Sequence, residues 1–481
     1  MPSEEHKNMN TNSYTRRSFL KLAGLAAVST VIAGCASSDD KKSRRKPNIV
    51  FILADDQGWH QLGCYGSDFY ETPNIDRLAA EGMKFTDAYA ACPVCSPTRA
   101  SIMTGKYPAR LHLTNFIPGY VDYQKLLPPE YTKYLPLEEV TIAEALKPAG
   151  YTCGHFGKWH LNKDKEYKLG RPGDPGSQGF DDVFTSHKPQ KGRPSRYQND
   201  AHHVREITER TIAFLENNKD RPFFCYVTHN TIHRPIIERP ELVEKYKAKP
   251  QSKLDRNNPI VGAMVETLDK SIGTILDKLD ELNLTNDTVV VYFSDNGPLR
   301  GRKELKPLRG GKGNLYEAGI RVPMLVRWPG VASPGSKCGQ PVISCDFFPT
   351  LLEAAGMKVT DPQVDGKSLM PLLQQTGGIN RDAIYWHYPH YSPQDGTCQG
   401  GAVRQGRYKL IEWYEKSIDG IDTPGALELF DLVDDISEQI NLAERMPELK
   451  MQLYERLDRW RKSVNAQRMT KNPNYKLPGK T

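Results

Sequence analysis

The sequence predicts an α/β fold: helices sandwiching a large, mostly parallel sheet, followed by a smaller C-terminal α+β subdomain of antiparallel strands plus a helix. Three observations carry this expectation. Continuous apolar runs at residues 49–53, 223–227 and 289–293 read as strands buried on both faces. Amphipathic helical patterns separate those runs. Beyond Leu369 the texture changes to short aromatic segments joined by Gly and Asp turns.

Taken in order, Pro47-Asn48 opens the folded part, and the first run leads into Asp55-Asp56. Thr72, as N-cap, and Pro73, at the first helical position, start a helix through Gly82. Ser96-Pro97 repeats that pattern ahead of a short helix stopping at Gly105. Thr141 and Glu144 form a capping box for a helix ending at Gly150. A strand-like segment spans 154–161, and a helical pattern covers 203–217. The second strand ends in Thr228-His229. A long helix runs over about 259–282. The third strand ends in Ser294-Asp295-Asn296-Gly297, and 322–328 is a fourth. Ligands of open α/β sheets bind beyond the carboxyl ends of strands, so polar residues at three such ends point to one shared site. Farther on, 383–391, 402–413 and 427–432 read as short strands, 447–463 as a helix and 464–481 as a polar strap. The expected organisation is therefore a leader at 1–34, a tether at 35–46, a catalytic domain at 47–375 and a C-terminal subdomain at 376–481.

The chain has 481 residues, 38% hydrophobic and 26% charged, with a net charge of +7. These values exclude a disordered chain and a polytopic membrane protein. No basic cluster interleaved with aromatics is present, so no nucleic-acid partner is expected. The mild positive charge favours anionic substrates. At the N-terminus, Arg16-Arg17 precedes the apolar run 22–33, which ends in Ile32-Ala33-Gly34-Cys35. This resembles a bacterial twin-arginine export signal ending in a lipobox. The run is too short to span a bilayer comfortably. The expectation is export by the twin-arginine machinery, removal of 1–34 and lipidation of Cys35. The product would be a periplasmic or cell-surface lipoprotein anchored to a bacterial membrane. Nine cysteines, scattered along the chain, form no disulfide-scaffold pattern.

Residues 91–105, ACPVCSPTRASIMTG, hold a C-x-x-C pair, Cys92 and Cys95. A thioredoxin-type pair should head a long helix, whereas Pro97 follows almost at once and the helix is short. A zinc site needs a second pair at ligand spacing, and none occurs. Two readings remain: packed cysteines or a local disulfide, or a Cys95 destined for modification. The string Cys95-Ser96-Pro97-Thr98-Arg99 with Thr104-Gly105 is joined, in order along the chain, by other landmarks. These are Asp55-Asp56, Gly157-Lys158-Trp159-His160, His233-Arg234-Pro235, Ser294-Asp295-Asn296-Gly297 and Gly310-Gly311-Lys312-Gly313. A terminal run follows, Glu428 to Leu432 and Asn441-Leu442. Together they resemble type I sulfatases of the alkaline phosphatase superfamily, near the bacterial arylsulfatase A-like and N-acetylgalactosamine-6-sulfatase-like enzymes. The resemblance covers about residues 47–475.

It implies an alkaline-phosphatase-like sandwich and a formylglycine (3-oxoalanine) made from Cys95 by a formylglycine-generating maturase. Its hydrate would supply the nucleophile for a sulfuric ester hydrolase. The residues are physically suited to this. Cys95 lies at a helix N-terminus, whose free N–H groups favour an anion, and Arg99 sits one turn in. Asp55, Asp56, Asp295 and Asn296 offer only oxygen, which suits Ca2+, or else Mg2+, rather than zinc. The resemblance assigns these four, with residue 95, to the metal. It gives Arg99 and Lys158 to charge neutralisation and His160 to the base. His233 and Lys312 are to grip the sulfate and protonate the leaving oxygen. His229 is either a support for this group or a core histidine. A sulfated saccharide, of polysaccharide or glycosaminoglycan type, is the expected substrate. Candidate sugar contacts are His112, Asn115, Phe116, His202, His203 and the run Trp386 to His390, which includes His387. Trp386 and Tyr388 have the alternative of packing the subdomain interface. Competing functions are an aryl-sulfate hydrolase, a phosphate or phosphonate ester hydrolase, and a non-catalytic glycan-binding surface lipoprotein.

Overall fold

Strand β1 (Asn48–Ala54) shows why a continuous apolar run is needed at the centre of the molecule. Ile49, Phe51 and Leu53 pack with Ile102, Ile142 and Phe347 on one side, while Val50, Ile52 and Ala54 pack with Ile75, Ile207 and Leu268 on the other. Alternation along the strand therefore supplies two cores rather than one core and a wet face. The computed structural model describes residues 46–475 apart from 121–123, 165, 190–194, 255–256, 300–306 and 394–397. The expected leader, Cys35 with its expected lipidation, and nearly all of the expected tether lie outside the described residues.

With β2 (Met83–Phe85), β3 (Thr152–Gly157), β4 (Asp182–Thr185), β5 (Phe223–Thr228), β6 (Thr288–Ser294), β7 (Met324–Arg327) and β8 (Ser336–Cys338), β1 builds an eight-stranded sheet. Its order is β8-β2-β7-β6-β1-β5-β3-β4. All pairings are parallel except the two made by β7. The register places Leu53 beside Thr228 and Ala54 beside Ser294, so the residues after these three strands emerge at one level. The principal helices are α1 (Pro73–Glu81), α2 (Cys95–Thr104), α3 (Val204–Asn218) and α4 (Pro259–Glu281).

Helix starts needed correction. The capping box forms as expected, Glu144 N donating to Thr141 Oγ1 at 3.2 Å and Thr141 N to Glu144 Oε2 at 3.1 Å. Thr72 precedes α1, but its hydroxyl accepts from Gly63 N at 2.9 Å. The first N–H groups of α1 go to Asp269 of α4, from Asn74 at 3.0 Å and Ile75 at 2.8 Å. Helix α2 starts at Cys95 itself, one residue before the expected N-cap Ser96, with extended Val94 as its cap. Ser96 Oγ instead accepts from Ile117 N at 3.1 Å. The expected strand at 154–161 stops at Gly157, where φ is +121° and an added Cβ would lie 1.9 Å from the Thr228 carbonyl. That turn frees Lys158, Trp159 and His160 to form a loop.

Near the C-terminus, β9 (Ile384–Tyr388), β10 (Gly400–Gln405), β11 (Tyr408–Trp413) and β12 (Leu427–Asp431) form an antiparallel sheet in sequence order. Helix α5 (Pro447–Ser463) packs on it, and Thr470–Lys471 returns to pair with Leu126–Leu127. Trp386 donates to the Ala90 carbonyl at 2.8 Å, so its packing reading is the one that forms. Lys409, fully buried, bridges Glu317 at 2.8 Å and Glu438 at 2.9 Å, both also fully buried. Burial pushes the Glu438 carboxyl up to about 7; against the same push, Lys409 and Arg321 hold Glu317 at about 2.

Removing one partner of a buried charge network costs about 3–5 kcal/mol. Lys409→Met is expected to lower unfolding free energy by about that amount in urea titration, and Lys409→Met/Glu438→Gln to recover part of it. An unchanged midpoint in the single variant would contradict the network's role. A pH dependence also follows. Burial holds His155, His387 and His390 at about 3. Unfolded histidine titrates near 6.5, so between those values the unfolded chain binds more protons. Stability is therefore fully present above about pH 6.5 and declines as pH falls toward 3. The urea midpoint should be lower near pH 4.5 than near pH 7.5; equal midpoints would refute this.

Candidate active site

Every loop that carries an expected catalytic residue leaves the same end of the main sheet or packs against it. Asp55-Asp56 follow β1, Asp295-Asn296 follow β6, Lys158 and His160 follow β3, and His233 follows β5. Backbone bonds fix these loops to one another. Asp55 N donates to Thr231 O at 2.9 Å, Ile232 N to Asp55 O at 2.6 Å and Asp295 N to Ala54 O at 3.2 Å. The Lys312 loop is held by Lys312 N on Pro298 O and by Gly313 N on Pro93 O, both 2.8 Å. Asp56 and His160 take left-handed φ values of 64° and 60°, a conformation seldom adopted by such residues outside constrained sites.

The side chains pair by charge. Lys158 Nζ lies 2.7 Å from Asp55 Oδ2, and Lys312 Nζ 2.5 Å from Asp56 Oδ1. Arg99 reaches Asp295 Oδ2 with Nε at 2.9 Å and Nη2 at 2.7 Å, and donates Nη1 to the Lys158 carbonyl at 2.7 Å. Asn296 Nδ2 donates to Asp56 Oδ1 at 2.8 Å. His233 Nε2 stands 3.9 Å from Asp56 Oδ2. Although burial would raise Asp55, Lys158 and its neighbouring cations hold it well below the carboxylate range. Burial, with the adjacent Asp55, pushes Asp295 up to about 6. Asp56 outweighs burial at Lys312 and keeps that ammonium charged.

Three oxygens stand out. Asp55 Oδ1, Asp56 Oδ2 and Asn296 Oδ1 are buried with no hydrogen-bond partner among the described residues. Ligand atoms of Asp55, Asp56 and His233 lie within 4.8 Å of one another. Orphaned buried acceptors in an oxygen-rich set are what a hard divalent cation would satisfy. The residues present thus fit Ca2+ or Mg2+.

Cys95 is 2% exposed, and burial raises its thiol despite Lys158 and Lys312. It stays protonated and is a weak nucleophile as it stands. Cys92 and Cys95 are both free thiols, so the local disulfide does not form. His160 Nε2 lies 2.6 Å from the Ile117 carbonyl, which places the proton there and leaves Nδ1 bare; Nδ1 is buried without a partner. Burial, then Lys158 and Arg99, hold this imidazole neutral. The lone pair on Nδ1 is the position open to a proton.

Above these groups opens a cleft of about 490 Å3, with Asp55, Cys95, Lys158, His160, His233 and Lys312 on its lining. Phe116 and Tyr167 stand in its walls, as do Ser392 and Pro393 from the C-terminal part. Beneath them, Arg99 bonds the Lys158 carbonyl and Asp56 pairs with Lys312, and the buried Asp295 and Asn296 bond in turn to Arg99 and Asp56. Sequence reasoning missed Ser186 and Asn230, which also line the cleft and bond to each other, Asn230 Nδ2 to Ser186 Oγ at 2.7 Å. The signal for Ser186 was faint, because β4, which ends just before it, has no apolar run; Asn230 follows the apolar strand β5 and was passed over beside His229.

Several proposed sugar contacts are structural instead, and none of them lines this cleft. His112 bonds the Asn465 carbonyl at 2.8 Å, and Asn115, fully buried, accepts from Phe116 N at 2.9 Å. His387 is clamped between Tyr414 OH and the Gln467 carbonyl, both at 2.6 Å. His202 faces the Pro235 carbonyl at 3.1 Å, and His203 stands next to Glu206. His229, fully buried, lies 3.4 Å from Ser271 of α4 and takes the core reading.

Comparison with known proteins agrees with this constellation. Residues 47–357 match the family described as Sulfatase, and 311–463 match the one described as N-sulphoglucosamine sulphohydrolase, C-terminal. A sulfatase of Formosa agariphila is 30% identical over 90% of this chain and 92% of its own. Human arylsulfatase A is 34% identical over 76% of this chain and 74% of its own. The solved structure of Ps i-CgsB in complex with k-i-k-neocarrahexaose superposes with a TM-score of 0.71 at 26% identity, covering 90% of this chain and 95% of that one. With the family matched across the sheet and every loop that carries the paired charges, the chain belongs to the sulfatase family and is a sulfuric ester hydrolase.

Proposed function

We propose that the protein removes sulfate from a sulfated saccharide, using an aldehyde made from Cys95 and a divalent ion, Ca2+ by preference. The observation that carries this reading is the environment of Cys95. A protonated, buried thiol heads a ten-residue helix and shares the cleft lining with Asp55, Lys158 and Lys312, while Asp55, Asp56 and Asn296 each leave a buried oxygen without a partner among the described residues. A thiol so placed does little, whereas a hydrated formylglycine supplies two hydroxyls on one carbon, one to attack sulfur and one to release the sulfate. Asp55, Asp56, Asp295 and Asn296 would hold the ion, which supplies positive charge against the nucleophile and the sulfate oxygens.

The chain's own groups then divide the remaining work. Arg99 holds Asp295 and the Lys158 carbonyl, which keeps Lys158 aimed into the cleft. Lys158 and Lys312 counter charge on the sulfate, and Lys312 with His233 faces the leaving oxygen. His160, neutral and bare at Nδ1, takes the proton whose removal releases the sulfate. Support for a saccharide comes from the neocarrahexaose in the Ps i-CgsB complex and from a cleft walled by Phe116 and Tyr167. Residues 1–34 are read as a twin-arginine export signal and Cys35 as the lipid-bearing residue. That route carries folded proteins, so Cys95 would be oxidised before export.

Mass spectrometry of protein from its native host is expected to find an aldehyde at residue 95 and an N-terminus at an acylated Cys35. Cys95→Ala should lower turnover by at least about 1,000-fold. An intact thiol in fully active enzyme would refute the nucleophile, and retained residues 1–34 would refute the lipoprotein reading. Prolonged chelation should abolish turnover and lower the melting temperature by several degrees, with Ca2+ restoring both. Undiminished melting temperature and rate after verified metal removal would contradict the metal assignment.

A further inference from the structure

We propose that the mouth of the cleft is a subsite for a second anionic group, a carboxylate or a further sulfate, on the saccharide that carries the scissile ester. This rests on the sulfatase reading above and narrows its substrate. Lys163 follows β3, Lys188 follows β4 and Arg234 follows β5, and these three strands are neighbours in the sheet. The three cations therefore reach the one cleft from three adjacent loops, on the side away from β6, which carries Asp295 and Asn296.

Their pairing differs from that of the deeper cations. Arg99, Lys158 and Lys312 each hold a carboxylate. Lys163, Lys188 and Arg234 are exposed, and none has an ion-pair partner among the described residues. Acidic groups of the same rim are engaged elsewhere: Asp174 is held by Arg171 at 2.8 Å and Asn162 at 2.6 Å, Asp164 lies 3.4 Å from Arg171, and Glu166 has a partner of its own. Unneutralised cations around a concavity focus a positive potential into it, and an anion on the substrate satisfies them.

A second observation bears on the frame that carries this anion. Asn230 is 1% exposed and lines the cleft. Its amide nitrogen is fixed on Ser186 Oγ, and its buried Oδ1 has no partner among the described residues. Such an acceptor beside the cleft is matched by a hydroxyl or N–H donor of a bound molecule, which a saccharide supplies and a plain aromatic ring does not.

The test compares matured enzyme on one saccharide bearing a single sulfate with the same saccharide bearing a second sulfate, and with its uronate counterpart. Either doubly anionic form should be preferred by at least about tenfold in kcat/KM, and the better of the two identifies the second group. The Lys163→Gln/Lys188→Gln/Arg234→Gln variant should bring that ratio close to one through KM, while the singly sulfated substrate changes by less than about twofold. Added salt should compress the ratio in the parent enzyme. Equal turnover of singly and doubly anionic substrates, or equal losses on both in the variant, would overturn the subsite while leaving the sulfatase reading intact. Turnover of aryl sulfates with none of any saccharide would overturn the subsite and the saccharide substrate together, the protein remaining a sulfatase.

Discussion

Burying three carboxylates at the ends of parallel strands is the constraint around which this protein is built. Asp55, Asp56 and Asp295 are each at most 1% exposed, and taking such groups out of water is affordable only when each meets a cation. Arg99 meets Asp295, Lys158 meets Asp55 and Lys312 meets Asp56. The protein part of the site is thereby close to neutral. On the proposed reading a divalent ion would tip it positive, the condition for drawing in an anionic ester. The lysines that balance the carboxylates also line the cleft, so the proposed charge stabilisation in catalysis would draw on the same pairs that stabilise the fold. The strand register and the backbone bonds between the 55, 231 and 295 loops keep those pairs from drifting apart.

Much of this was legible in the amino-acid sequence for a physical reason. Strands buried on both faces announce themselves as apolar runs, and the polar residues after them sit where strand ends meet. Hence the runs before Asp55, His229 and Asp295 located the shared end of the sheet. The long helix 259–281 was nearly readable to the residue from its periodicity. Beyond that, the residues expected at the floor of the cleft were recognised through the resemblance of their motifs to a family, and the structure places them together.

Where sequence reasoning missed, the deciding partner was distant in the chain. Thr72 has the right identity and position for a cap, yet Asp269, far along the chain, takes the helix N–H groups. Ser96 looks like an N-cap, but the Ile117 amide claims its hydroxyl. His112 and His387 resemble ligand-seeking histidines, but Asn465 holds one ring nitrogen of His112, and Tyr414 and Gln467 hold both of His387. Ser186 was invisible because β4 is a short edge strand with no apolar run, and edge strands carry little of the core; Asn230, next to His229 after β5, carried no motif that set it apart.

The returning strand Thr470–Lys471 has a consequence for how the polypeptide is made. It clasps Leu126–Leu127, in the segment that follows the cleft-wall residue Phe116, and the wall residues Ser392 and Pro393 also come from late in the chain. On a ribosome these pieces emerge last, so the nascent chain passes through a stage in which the pocket around Cys95 lacks one side. If Cys95 is oxidised as proposed, the enzyme that does so would have its opening during this interval, which the closing of the clasp ends.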